Sequence, residues 1–490
     1  MKRLLSFLLA CTMLFGVCAA FPFAAGEQKA PAQPDAYPFV LVRGMDFNGL
    51  LEYPGTDHAE PALKKLDVGL TIRKVASALF NGLVRRDFDK FTDDAIAIAD
   101  SMMGKMAFNP DGTPKYDTGV EIYDKALSNY PAFVAELPDM NEMGFLKRAV
   151  EEYGADKVYY YNYDWRLDPF IHAQKLSELI ETAKKDHHVD KVNLACCSMG
   201  GILTVSYLYK FGAESLHRVL FISSTFSGTY VTGDLLNGRV KVYGDLLYNF
   251  IVTRMNVSKP VKFLLKILNK MGLFKGVEKL TDKLVPLIKD RVYDTFMRDV
   301  FGTMPVVWAL TQPDDLDGAL KYMFGGKEET YKTVIELAKQ YREMNLMRDT
   351  MLKQMQKNGL EIIITASYNL PVVPVYESAY MHGDTVLESP LMLGGATMAP
   401  LGETMPAEYK PLDAKYFAAD KVVDLSTALF PETTWALKDV PHVFTSYDTD
   451  CQDLIFWMLN EQTCPTVFTD ARYPQFLQSN DKLELAPLKG

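Results

Sequence analysis

Apolar positions recur along this chain in two rhythms. Short, nearly unbroken runs rich in β-branched and aromatic residues stand at FVLV (Phe39–Val42), within DKVYYYNYDWRLDP, at KVNLACC, at HRVLFISS and at LEIIITAS (Leu360–Ser367). Each reads as a strand buried on both faces. Apolar residues three and four positions apart mark amphipathic helices between them. These are ALKKLDVGLTIRKVASALFNGLV and MNEMGFLKRAVEEYG after the first run, FIHAQKLSELIETAKKD after the second and GGILTVSYLYKFG after the third, with CQDLIFWMLNEQ as the last helix. Strands alternating with helices predict an α/β architecture, a mostly parallel sheet covered by helices.

From about Thr225 to Asn358 the pattern is helical only, and strand character returns at Leu360. The sheet therefore divides into a first part, 26–224, and a second part, 359–490, around a helical cap insertion, 225–358. Within the cap, KPVKFLLKILNKMGLFKGVEKLTDKLVPLIKD combines lysines with apolar residues at helical spacing. The expectation is an amphipathic lid packed on the core with its lysines in water; the alternative is transient contact with a lipid surface.

The first residues, MKRLLSFLLACTMLFGVCAAFPFAAGEQ, run from two cations through an apolar stretch to small residues. This is the layout of a secretory signal peptide, residues 1–25 at most, with cleavage after Ala20 or Ala25. The apolar run is short for a membrane anchor. An exported protein, secreted or held at the cell surface, is expected. Of six cysteines, Cys11 and Cys18 would leave with the signal. Cys451 and Cys464 could then close a short loop, whereas the adjacent Cys196 and Cys197 should pack on opposite faces of a strand. No zinc-ligand spacing occurs, and neither metal nor cofactor is expected. The net charge of -10 argues against a nucleic-acid partner, and nothing implies an obligate protein partner.

Cys196-Cys197-Ser198-Met199-Gly200-Gly201 sits where a strand breaks into a helix. Such an elbow exposes a serine on a tight turn that needs small residues two positions to either side. Gly200 meets that need, and Cys196 stands in for the other glycine. A nucleophilic serine also needs a base, and the chain has seven histidines. His442, in a loop between a short strand and the last helix, is the candidate, with His382 a distant second. Asp420 in AADKVVDLSTALF is the favoured acid because it precedes His442 closely, and Asp384 in MHGDTVLES is the runner-up. Oxyanion donors would be the Met199 N–H and one from the loop after the first strand, Met45 or Asp46. Asp164 and Arg166 are read as a loop-locking pair, and His187-His188 as a helix-end cap.

VLVRGMDFNGL, YDWR (Tyr163–Arg166), CSMGG, STFSGT, FGTMPVVWAL and the late histidine together resemble the lecithin:cholesterol acyltransferase and lysosomal phospholipase family of α/β-hydrolases. The resemblance covers motifs in order from about Tyr37 to the last helix. It implies the α/β-hydrolase fold and a serine hydrolase or acyltransferase acting on lipid esters, with Ser198 as nucleophile, His442 as base and an acid in a GDGTV-like position. Three departures stand out. Cys197 replaces a histidine, Arg43 replaces a proline, and the GDGTV pattern is shared between HGDTV and the Asp420 segment. Two other readings compete: a catalytically inactive binding protein on a hydrolase scaffold, and a peptidase or amidase with the same triad.

Overall fold

The computed structural model describes residues 37–63, 85–254, 259–442, 444–447, 449–480 and 482–489. The expected leader, 1–25, and most of the helical stretch ALKKLDVGLTIRKVASALFNGLV lie outside them.

The five apolar runs form strands of one sheet, β1 (Phe39–Val42), β2 (Val158–Tyr161), β3 (Val192–Cys197), β4 (Leu216–Ile222) and β5 (Glu361–Tyr368), which β6 (Thr434–Lys438), β7 (Phe476–Ser479) and β8 (Leu485–Pro487) extend. Their order across this eight-stranded sheet is β8-β7-β6-β5-β4-β3-β1-β2. Every neighbouring pair is parallel except β7 with β8. This is an α/β fold. Sequence patterning did not anticipate β7 and β8, which are short and half exposed. The chain passes from β1 to β2 on one side and then crosses to β3 on the other. The carboxyl ends of β1 and β3, in register at Val42 and Cys196, thus flank the crevice that open α/β sheets use for ligands.

Side chains alternate between two core layers. Val40, Val42, Leu194 and Cys196 face one layer, and Leu41, Tyr160, Ala195 and Leu220 face the other. The helices that complete these layers begin with α1 (Phe88–Met103), α2 (Gly144–Tyr153), α3 (Pro169–His187) and α4 (Gly200–Phe211). In α3 the Asp168 carboxylate accepts the Phe170 N–H at 2.8 Å, Pro169 opens the first turn, and His188 closes the helix in the left-handed region, a cap at each end.

Between β4 and β5 the described residues hold helices and no main-sheet strand: α5 (Tyr230–Leu236), α6 (Gly244–Arg254), α7 (Lys259–Lys270), α8 (Leu273–Val292), α9 (Pro305–Ala309), α10 (Leu316–Phe324) and α11 (Lys332–Lys357). They do not behave as one unit. Trp308, Tyr341, Met344 and Leu352 share a core layer with α3 and α4, so α9 to α11 cover the sheet itself. The middle helices instead build small clusters of their own. Leu246 of α6 packs on Val372 and Tyr376, while Leu247 and Ile251 pack on Phe274 and Val277 of α8. The last helix, α12 (Asp450–Asn460), closes the second layer with Leu454, Ile455 and Met458. Each such buried aliphatic side chain contributes roughly 1.5–3 kcal/mol.

Candidate active site

β3 delivers Ser198 at its carboxyl end, and α4 starts two residues later. Ser198 has φ of 51°, a left-handed conformation that costs a non-glycine residue about 1–3 kcal/mol. Three backbone bonds hold it there: Ser198 donates to Ile222 O at 3.2 Å, and its carbonyl accepts from Thr225 at 2.9 Å and Gly201 at 3.1 Å. The small neighbours have a steric reason. A Cβ on Gly200 would lie 2.7 Å from the carbonyl oxygens of Val42 and Arg43. Cys196 fits the other small position fully buried, with its thiol directed to Leu220 O at 3.7 Å.

The Ser198 hydroxyl lies 2.9 Å from His442 Nε2. On the far side of the ring, Nδ1 lies 2.6 Å from Asp384 Oδ2. A carboxylate only accepts, so Nδ1 carries the proton, and Nε2 is left to accept from the serine. Asp384 has no exposed surface. Its Oδ1 accepts from Val386 at 3.0 Å and Leu387 at 2.9 Å, and its backbone carbonyl accepts the His442 N–H at 2.7 Å. The acid and the imidazole are therefore locked together by main chain as well as side chain.

The expectation that Asp420 faces His442 is corrected by this geometry. Asp420 Oδ2 accepts from Lys438 Nζ at 2.8 Å and from Tyr368 OH at 2.9 Å. Short chain distance to His442 proved a poor guide, because Leu370–Pro371 and His382–Gly383 form an antiparallel pair. That pair folds Asp384 back to the end of β5, next to β6, and residues 385–433 make a long excursion before β6 begins. His382, the second-choice base, bonds Pro400 O at 3.2 Å, and burial lowers its pKa to about 4.

The loop after β1 runs against the serine: a Cβ on Gly44 would lie 2.7 Å from Ser198 Cβ. Among the described residues, the N–H groups of Met45, Asp46 and Met199 form no hydrogen bond, as befits a loop and the turn before a helix. Both Met45 and Asp46 stay open as donors. Sequence reasoning missed what holds this loop. Arg43 pairs with Asp46 at 2.7 Å and donates to Asn162 at 2.9 Å, and Trp165 Nε1 donates to Asp46 O at 3.0 Å. Asp164 and Arg166 form a buried forked pair, at 2.8 and 2.6 Å, that also grips Thr118. Glu388, buried, accepts from Tyr376 OH at 2.7 Å and Thr229 Oγ1 at 2.8 Å. It ties the start of α5 to the segment carrying Asp384, and burial raises its pKa. No local sequence signal marks it.

Cys196, Cys197, Cys451 and Cys464 are all free, so the loop anticipated between Cys451 and Cys464 is not closed. Burial pushes the Cys197 thiol, beside the serine, up to about 12; it is an inert neighbour.

No family profile matches the sequence, and no curated protein matches it either. Among solved structures, the chain is similar to one described as the crystal structure of the Tle4-Tli4 complex, at 10% identity and a TM-score of 0.36, over 88% of this chain and 100% of that one.

Proposed function

We propose that the protein is an exported serine hydrolase of α/β-hydrolase type that cleaves, or transfers the acyl group of, lipid-type carboxylic esters through an acyl-serine. The observation that carries this reading is the unbroken hydrogen-bonded line Asp384–His442–Ser198, with the serine held on a strained turn.

Ser198 Oγ attacks the ester carbonyl while His442 Nε2 takes its proton. Asp384 holds the ring and stabilises the imidazolium. The oxyanion is met by the Met199 N–H and by a donor from the Gly44–Asp46 loop. His442 then protonates the leaving alcohol, and water or another alcohol releases the acyl group. Lipid esters as substrate rest on the sequence resemblance, and export rests on residues 1–25.

A fluorophosphonate probe tests the chemistry. Wild type should be labelled at Ser198, and Ser198→Ala and His442→Ala should not. A folded wild type that takes no label and leaves short-chain esters intact would sink the proposal. If label is taken, a panel of phospholipid, acylglycerol and peptide substrates decides the class.

A further inference from the structure

Turning about 100° per residue, α7 divides into three faces. Leu265 packs against the cluster formed by α6 and α8. Phe263, Leu264 and Ile267 lie together on a second face, 67%, 53% and 39% exposed, and Met271, bonded to Ile267 O through the next turn, continues it at 75%. Lys262, Lys266 and Lys270 line the adjoining flank. Apolar residues were expected to pack here, and only one edge of the helix does so.

The charge around this face is opposite to that of the chain. Residues 259–283 carry seven lysines against Glu278 and Asp282, in a protein of net charge -10. Both acids are already paired with Lys241. Lys262, Lys266, Lys270, Lys275, Lys279 and Lys283 form no ion pair with any described residue. A contiguous exposed apolar strip marks an interaction surface. An apolar strip beside unpaired cations suits a partner that offers hydrocarbon just beneath negative charge. A second copy of the chain fits poorly, because an antiparallel two-fold contact would set lysine flank against lysine flank.

We infer that α7 docks on an anionic lipid bilayer, with Phe263, Leu264, Ile267 and Met271 entering the acyl boundary and the lysines meeting the headgroups. The inference goes beyond the hydrolase reading and does not require it. α6 packs on α7 and α8 on one side and on the Val372–Tyr376 segment on the other, so the docking face lies one helix away from the segment leading to Asp384.

The test is co-sedimentation of the full chain carrying Ser198→Ala, so that binding is read without turnover. Vesicles of phosphatidylcholine alone are compared with an equal mixture of phosphatidylcholine and phosphatidylglycerol. Preferential binding to the anionic vesicles, weakened by salt, is expected. Each of Lys262→Gln, Lys266→Gln and Lys270→Gln should weaken it about five-fold, and Leu264→Asp with Ile267→Asp should abolish it while the unfolding temperature is kept. The apolar leader is common to all variants and cancels in the comparison. Equal binding to both vesicles, binding to neither, or variants that bind like the parent would overturn the inference. So would a dimer that Leu264→Asp with Ile267→Asp dissociates. Failure here leaves fluorophosphonate labelling untouched, so the two readings fall separately.

Discussion

Asp384 and Asp420 each open a tight turn in which Oδ1 accepts the N–H two residues on, from Val386 at 3.0 Å and from Val422 at 3.1 Å. Their second oxygens meet different surroundings. That of Asp384 faces an imidazole whose other nitrogen reaches a serine, whereas that of Asp420 faces an ammonium and a phenol. The turn is a local property of the aspartate, whose short side chain reaches the N–H two positions on whichever residue stands there, as Asp168 and Asp424 also do. The partner of the free oxygen is set by which strand end the loop returns to. One motif therefore yields a carboxylate that orients an imidazole in one place and a structural ion pair in the other.

The sharpest way to break this comparison is to neutralise each acid in turn. Asn at 384 keeps an acceptor for Val386 and Leu387 but can turn an N–H₂ toward His442 Nδ1, favouring the wrong tautomer. Asp384→Asn should lower kcat on the order of 10⁴-fold with the fold intact. Ester turnover by Asp384→Asn and Asp420→Asn, measured side by side, checks this; an active Asp384→Asn beside an inactive Asp420→Asn would reverse the assignment.

A second variant asks whether the aligned serine matters as much as the acid. Gly44→Ala leaves both aspartates alone and places a methyl 2.7 Å from Ser198 Cβ, so the turn or the loop must shift. A displacement approaching 1 Å costs about 10²-fold. The loss should appear in kcat, and unchanged turnover would show that the loop gives way freely.

For Asp420 the effect should fall on stability. Lys438 and Asp420 are 18% and 10% exposed, and removing one charge leaves the other poorly solvated. Asp420→Asn should cost about 1–3 kcal/mol in denaturant unfolding with turnover within a few-fold of wild type.

How much of this was legible beforehand follows the same division. The strands at 39–42, 192–197 and 216–222 and the helix at 200–211 were readable because buried parallel strands are unbroken apolar runs and the glycines mark where the helix begins. That Ser198 and His442 would meet was readable from the elbow and from chain order. The choice between Asp384 and Asp420 was not, because it depends on the pairing of Leu370–Pro371 with His382–Gly383, two residues a side, too short to leave a periodicity. The clamp of Arg43 on Asp46 and Asn162 was hidden for a related reason: Asn162 lies 119 positions away. The outward apolar strip of α7 has the same spacing as a buried one, and only packing distinguishes them.

The last effect is one of pH and concerns His382, which stands two residues before Asp384 and within reach of the Asp420 charge. It is buried, donates Nε2–H to Pro400 O, and its Nδ1 has no partner among the described residues. Burial lowers its pKa from 6.5 to about 4; the Pro400 bond and Asp420 oppose the shift, and Lys438 adds to it. The folded value lies below the unfolded one, so between pH 6.5 and about 4 the unfolded chain binds more protons. Stability contributed by the neutral ring is complete above pH 6.5 and is lost as pH falls toward 4, by up to a few kcal/mol. His172, also lowered to about 4 by burial, acts in the same direction and window. His382→Gln should therefore flatten the acid limb of a stability-against-pH curve in part, and the remaining slope should be shared by His172 and His217, which burial also lowers, against Glu388, which burial raises. Asp420→Asn should steepen the limb, because it removes a charge that favours the protonated ring. An acid limb unchanged in both variants would mean that His382 titrates normally, and that the two aspartate turns are electrically independent.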